Sequence, residues 1–405
     1  MTESDARTAD RSGPHRVEKR SAGQSDHDYV ESLRARGPVA IDRHGFYWTF
    51  SHAHLLACVA PETTRQVETE KVRAMGLTSG AIHDYFANSL LFSNGAVHQR
   101  RRRPLAKTFA FSLMDGMRPR IRAVAEAMIR PHLGREVDFL AEIAGPLPAR
   151  IVAEIIGAPE GDIPRFSAMV YGAMRALSLR TAEDLTAGAK ALADLDAYVA
   201  ALLDVRRRTP KGDFLSDYVA GAAAGDLTEE EARTQISSVI LAGADTTRMA
   251  LCSTVSQLLQ HPEQWAAFAA DPDGMKAAAA AEGLRFDPVI GSLPRVATRD
   301  LEIGGASVPA GAVLAPVVLA ALRDPEVYAA PGRFDIHRDD HPRHHPVFGA
   351  GAHRCLGEAL ARAELEEALA TLIRLAPGAA LVGPPPRLRG VSGARAIDQM
   401  RLRLG

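Results

Sequence analysis

The stretch from Thr228 to Gln260 limits the fold more than any other part of the chain. Thr228 followed at the third residue by Glu231 is a capping box, in which each side chain serves the other's orphan backbone N–H. Apolar residues then recur at helical spacing until His261-Pro262 stops the pattern. These 33 residues, at about 1.5 Å each, span roughly 50 Å, the breadth of a whole domain. A helix so long, and apolar on most faces, has to run through a core. By itself it is consistent with a plain buried helix.

Residues 117–134, 187–207 and 357–375 also repeat apolar positions at three- and four-residue spacing, which predicts further helices. Strand signals are short. Residues 38–50 suit a hairpin, and 301–318 read as strand, Gly-Gly turn, strand. The expected class is mainly α with a minor β-sheet (α+β). No linker or repeat interrupts the chain after residue 26, so 26–405 reads as one domain. Residues 1–25 are polar, lack the apolar core of a signal peptide, and read as a disordered tail.

The 48 basic and 49 acidic residues leave a net charge of −1, which argues against bulk nucleic-acid binding. No run of about 18 apolar residues occurs, so no membrane-spanning helix is expected. The three cysteines are far apart, which is no disulfide framework and suits a reducing, cytoplasmic setting. Cys252 lies in an apolar helical run and reads as a small core residue, while Cys58 carries no signal. Cys355 is different, being flanked by glycines and a basic pair.

Residues 348–357 read Phe-Gly-Ala-Gly-Ala-His-Arg-Cys-Leu-Gly, and a helical pattern starts at Glu358. A thiolate beside a helix N-terminus accepts backbone N–H groups and feels the positive end of the dipole, which lowers its pKa and fits it to bind a metal. Gly351 and Gly357 let the backbone crowd a flat macrocycle, and Phe348 can shield the sulfur. A dinucleotide fingerprint fails, because Arg354 stands where a third glycine is needed. A zinc site could draw on His337, Asp339, His341, His344 and His345, but no second cysteine is near and these histidines read as an exposed Pro-rich loop. A cysteine nucleophile would want a better placed base than His353.

The run resembles the haem-binding loop of the cytochromes P-450, Phe-x-x-Gly-x-(His/Arg)-x-Cys-x-Gly, and it matches every defining position. Other landmarks follow in order. Ala242-Gly243-Ala244-Asp245-Thr246-Thr247 is similar to the family's oxygen-activation motif. A glycine and two threonines inside a core helix cost stability, and a local rule broken there suggests function. Thr246 can bond the Ala242 carbonyl, opening a small polar notch for dioxygen and water. The resemblance implies Thr246 as a donor to bound oxygen and Asp245 as a proton gate. Glu282-Gly-Leu-Arg285 matches the family's Glu-x-x-Arg helix, with Arg333 as the second arginine of a structural ion network. His98, Arg102, Arg295 and His353 match the residues that hold the haem propionates.

The resemblance covers roughly residues 35–405 and implies the cytochrome P-450 fold, with haem between the long central helix and the cysteine-loop helix. The cofactor would be heme b on Cys355, with Phe348, Gly349, His353, Gly357, Ala242 and Gly243 against it and O2 as co-substrate. The implied reaction is insertion of one oxygen atom into a small, largely apolar substrate. Coupling, cyclisation or desaturation by the same haem, or a non-enzymatic haem sensor, are the alternatives. Electrons are expected from a ferredoxin and ferredoxin reductase docking near Arg100, Arg101 and Arg103. The family's pocket regions map to segments near 78–95, 168–180, 236–246, 287–294 and 392–398. They offer Phe86, Leu90, Ile240, Ala244, Val289, Ile290 and Ile397, with Tyr171, Ser292 and Arg395 as polar anchors.

Overall fold

The capping box forms as read. Thr228 Oγ1 accepts the Glu231 N–H at 3.1 Å, and the Glu231 carboxylate accepts the Thr228 N–H at 3.0 Å. From there a single α-helix, Glu229–Gln260, runs through the molecule. The structure, a computed structural model, describes residues 13–109, 114, 116–177 and 182–405. Helices Pro146–Ile155, Ile163–Leu177, Ala182–Arg208, Pro272–Phe286 and Glu358–Leu375 all pack against the central one. Burial along it is nearly continuous, as a helix without a solvent face requires.

One stretch breaks that burial. Ala242 is exposed, and Ser238, Val239, Gly243 and Thr246 are partly so, although they lie mid-helix. At about 100° per residue, Ser238, Val239, Ala242 and Thr246 share one face, which therefore looks into an open interior cleft. Ile240 and Ala244, expected to line the pocket, lie on the opposite face and are fully buried. Helical periodicity places them in the core, so they are not lining residues.

Two glycines set how closely helices approach. A Cβ on Gly243 would lie 3.0 Å from Val152, so this glycine seats the helix Pro146–Ile155. A Cβ on Gly283 would lie 2.2 Å from Thr254 Oγ1, whose hydroxyl is committed to the Ala250 carbonyl at 2.8 Å. Gly283→Ala is expected to destabilise the fold by about 1–3 kcal/mol through overpacking. Urea unfolding measures it, and an unchanged midpoint would show that the two helices separate freely.

A six-stranded sheet lies beside the helices. Its order is His15–Arg16, Val39–Ile41, Tyr47–Thr49, Val313–Pro316, Arg295–Ala297, Thr64–Gln66. Val39–Ile41 and Tyr47–Thr49 form the expected hairpin. Leu301–Ile303 and Ala306–Val308 form the other, across Gly304 and Gly305 at φ +57° and +77°, which only glycine adopts freely. The boundary expected at residue 26 is corrected. His15–Arg16 adds a parallel strand to Val39–Ile41, the Tyr29 hydroxyl donates to the Glu18 carbonyl, and Arg20 pairs with Asp26. Polar composition alone hides these contacts. Residues 1–12 lie outside the described residues, as do 178–180 of the expected pocket segment. Among the described residues no helix is long and apolar enough to cross a membrane.

Candidate active site

The cysteine loop is held by its own backbone. Cys355 N–H donates to the Phe348 carbonyl at 2.8 Å, and Arg354 N–H donates to Gly351 at 3.1 Å. Gly349 and Gly351 sit at φ +69° and +61°, so the turn demands glycine at both. The Arg362 guanidinium lies 5.1 Å over the Phe348 ring. Cys355 is exposed, its thiol presented rather than packed. The helix Glu358–Leu375 starts after Gly357, which has no side chain to cap it. Although the residue reaches solvent, the surrounding protein desolvates the sulfur, which raises the thiol pKa where the helix N-terminus was expected to lower it; Glu358 adds to the rise and Gly357 opposes it.

Four groups gather beside this loop. The His98 and His353 rings lie 4.0 Å apart, centroid to centroid. Burial, with Arg102 and Arg295 nearby, pushes His98 down to about 4, and burial with His98 and both arginines pushes His353 down to about 3. Arg102 donates to the Arg354 carbonyl at 2.7 Å, and Arg295 to Thr64 Oγ1 at 3.0 Å. Burial lowers both arginines, Arg295 to about 10, and no carboxylate among the described residues offsets it. His98 Nε2 is buried with no partner. Such a cluster suits a ligand that brings carboxylates.

On the central helix, Thr246 Oγ1 donates to the Ala242 carbonyl at 2.7 Å, on the face that opens. Asp245 is buried and turned onto Arg248, which donates through Nε at 2.8 Å and Nη2 at 2.5 Å. Sequence reasoning missed Arg248, although its i, i+3 spacing was visible. It also missed Glu364, fully buried where the helix Glu358–Leu375 crosses the central one. Burial pushes Glu364 up to about 8, and the Thr247 hydroxyl opposes the shift. An acid on the apolar face of a helical pattern was the available signal.

The structural network around Glu282 forms with a different second arginine. Arg285 and Glu282 are fully buried and doubly bonded, at 2.6 and 2.7 Å. Arg333 is 68% exposed and faces Asp335, whereas Arg338, 6% exposed, approaches Glu282 at 3.4 Å. The Arg333 side chain therefore leaves the network, and only its carbonyl accepts from Arg285, at 2.9 Å. His341 approaches Glu282 at 3.7 Å, and His345 is buried with its pKa pushed down to about 3 by desolvation. Of the histidines expected in an exposed loop, His341 and His345 thus turn inward, while His337 and His344 are exposed. No group of three metal-ligating side chains occurs among the described residues.

The basic patch is corrected too. Arg101 is buried and donates to Glu231 at 3.0 Å and to the Ala87 and Ser89 carbonyls, while Arg100 grips the same carboxylate at 2.6 and 2.7 Å. Both tie the helix Gly95–Thr108 to the start of the central helix. Arg103 and Lys107 remain exposed. Arg103 borders a cavity of about 340 Å³ lined by His98, Gln99, Arg102, Ala106, Gly351 and Ala352.

Among pocket candidates, Phe86 stacks on Phe92 at 4.1 Å, and Leu90 N–H donates to the Gln235 side chain. Val289 and Ile397 are buried and Ile290 is partly so. Arg395 is no substrate anchor, because its guanidinium bonds Asp287 at 2.6 Å and Asp26 at 3.1 Å inside the protein. The Tyr171 hydroxyl is likewise committed, to the Gly145 carbonyl at 2.5 Å. Ser292 Oγ is buried and unpartnered.

A presented thiol on a glycine loop, two arginines beside it and a core helix open on one face make up the candidate site, and the comparisons give the family. A family profile described as Cytochrome P450 matches residues 277–375. The chain is 37% identical over 381 residues to the plant-inducible cytochrome P450-pinF1 of Rhizobium radiobacter, covering 93% of this chain and 90% of that one. It is 32% identical over 358 residues to erythromycin C-12 hydroxylase of Saccharopolyspora erythraea, covering 86% and 87%. The crystal structure of P450BioI with an acyl carrier protein carrying hexadec-9Z-enoic acid superposes with a TM-score of 0.84, at 27% identity, covering 93% and 97%. The chain belongs to the cytochrome P450 family and is an oxygen-incorporating oxidoreductase.

The family implies a haem-thiolate cofactor, and the residues present fit one. His98 Nε2 is orphaned, Arg102 and Arg295 lack an anion, and Cys355 is presented beside them.

Proposed function

We propose that Cys355 is the thiolate ligand of the haem and that His98, Arg102, Arg295 and His353 hold its two carboxylates. The observation that carries this is the anion-free cationic cluster packed against the cysteine loop, through the His98–His353 contact and the Arg102 bond to Arg354. Bound there, the haem supplies dioxygen activation, which a thiolate ligand favours. The chain does the rest. Thr246 presents a hydroxyl on the open face, and Asp245 is the acid beside it. Phe348 and Arg362 cover the loop on its outer side. Leu90 and Ile290, both partly exposed, offer the substrate an apolar surface with little hydrogen bonding, which suits a small, largely apolar molecule. The relatives' names include an N-oxygenase, a C-12 hydroxylase and an epoxidase, all oxygen transfers. The test is the carbon monoxide difference spectrum of the reduced protein. The long-wavelength Soret band that names the family supports the reading, and a histidine-type band overturns it.

Electrons come from a separate acidic protein such as a ferredoxin, docking over Arg103 and Lys107 beside the cavity that reaches Gly351. Arg100 and Arg101 are excluded by their bonds to Glu231. Arg103→Glu is expected to slow electron transfer from an acidic ferredoxin about tenfold at low salt, the difference closing as salt rises. Stopped-flow reduction across an ionic-strength series measures it, and equal rates at low salt would remove Arg103 from the docking surface.

A further inference from the structure

We propose that Arg395 is a specificity-determining positioning residue, which holds Ile290 at the pocket wall and, through Asp26, makes the N-terminal helix part of that wall's support. The proposal rests on Ile290 offering its surface to the substrate. Arg395 is buried, and all five N–H groups of its guanidinium are spent. Nε donates to the Gly390 carbonyl at 2.8 Å. Nη1 donates to Asp287 Oδ1 at 2.6 Å and to the Pro288 carbonyl at 2.8 Å. Nη2 donates to Asp26 Oδ2 at 3.1 Å and to the Leu388 carbonyl at 3.0 Å. One planar fork thus joins three stretches of chain that are far apart in sequence. A lysine, with a single ammonium on a flexible stem, cannot reproduce that fork.

The backbone carries the constraint to Ile290. Arg395 N–H donates to the Val289 carbonyl at 2.8 Å, and Gly291 N–H donates to the Gly393 carbonyl at 2.7 Å. Ile290 pairs with Ala394 in the antiparallel bridge between these bonds. From the other side, Val318 N–H donates to the Gly291 carbonyl at 2.8 Å. The loop presses so closely that a Cβ on Gly291 would lie 2.6 Å from the Val391 carbonyl carbon. Ile290 is partly exposed between the buried Val289 and Gly291, so its side chain moves only with the loop 388–397.

The outer end of the clamp is the helix Asp26–Arg34. Asp26 accepts the Gly390 N–H at 3.0 Å and pairs with Arg20. The next residue, His27, bonds Asp287 Oδ1 through Nε2 at 2.9 Å. From the central helix, Ser253 Oγ donates to the Asp287 carbonyl at 3.2 Å. Burial by itself would raise the Asp287 carboxyl, yet Arg395 and His27 hold it down to about 2. Removing one member of such a buried group leaves an uncompensated charge. The helix, the acid that follows Phe286 and the loop therefore settle together.

The test uses the ferric, haem-loaded full chain and imidazoles that bind its iron. Imidazole reads the iron alone, whereas 4-phenylimidazole and 1-octylimidazole also fill the pocket. Dissociation constants are read from Soret titrations. Ile290→Ala is expected to weaken at least one of the two substituted imidazoles about tenfold relative to imidazole. Arg395→Lys and Asp26→Ala should blunt that effect, so that adding Ile290→Ala to either weakens binding less, by a factor of about three or more. Amide exchange should agree. The peptide over 288–292 should exchange about tenfold faster in Asp26→Ala, while the central helix keeps the parent rate. Asp26→Ala leaves the bond between Arg395 and Asp287 in place, so it carries the test if Arg395→Lys does not fold. Additive effects in a variant that folds, or parent exchange over 288–292, would overturn the proposal. If Ile290→Ala alone leaves both substituted imidazoles unchanged relative to imidazole, Ile290 is not at the pocket wall, and the underlying reading fails together with the proposal.

Discussion

Cys355→Ala is expected to give a folded protein with oxygenase activity reduced about a thousandfold or more, equivalent to ~4 kcal/mol of barrier lowering lost. The carbon monoxide complex should lose its long-wavelength band at the same time. The substitution separates chemistry from folding for a structural reason. The Cys355 backbone N–H keeps its bond to Phe348, and Gly349 and Gly351 keep the turn. The side chain is exposed, so no packed cavity is created. Circular dichroism should match the parent, while haem content falls or the bound haem takes another ligand. Retained activity with the parent band would show that Cys355 is not the ligand.

Arg285→Ala is expected to cost about 3–5 kcal/mol, a large part of the ~5–15 kcal/mol that holds a domain together. The guanidinium is fully buried. It satisfies both Glu282 oxygens and the carbonyls of Leu322, Pro331 and Arg333. Its removal leaves a buried carboxylate with the Asp335 N–H at 2.8 Å and Arg338 and His341 at longer range, and three carbonyls without this donor. Urea unfolding of the purified variant, or its failure to accumulate, measures the loss. Two companions check the corrected network. Arg333→Ala should stay within about 0.5 kcal/mol of the parent, as an exposed side chain does. Arg338→Ala should cost about 1–3 kcal/mol through lost bonds to Ala329 and Asp340 and a weakened Glu282. Equal costs for the two would restore Arg333 to the network.

The contrast between those two arginines shows where sequence reading stops. Both lie in one short segment, and nothing in their spacing says which turns inward. The turn at Ala330, with φ +43°, and the run to Asp340 decide it. The arginine run behaves the same way. Four consecutive cations read as one face, but a helix distributes them around its axis, and Glu231 pulls two of them inward. That acid had been identified only as a capping residue; it is both cap and counter-ion.

What the sequence alone determined was whatever a few adjacent residues encode: the capped core helix, the glycine loop that presents Cys355, the Thr246–Ala242 notch and the two hairpins. Their geometry follows from local φ/ψ limits and from hydrogen bonds between near neighbours, so the motif and its shape are one fact. The tertiary structure decided which charges meet. Asp245 goes to Arg248 rather than to the notch, Arg395 to Asp26 and Asp287, and Arg338 rather than Arg333 to Glu282. It also decided which face of the central helix opens, and so removed Ile240 and Ala244 from the pocket. Burying a charge costs several kcal/mol unless it is paired, and the available partners come from elements far apart in the chain. That requirement is satisfied only when those elements pack, which is why local pattern could name the chemistry but not its electrostatic partners.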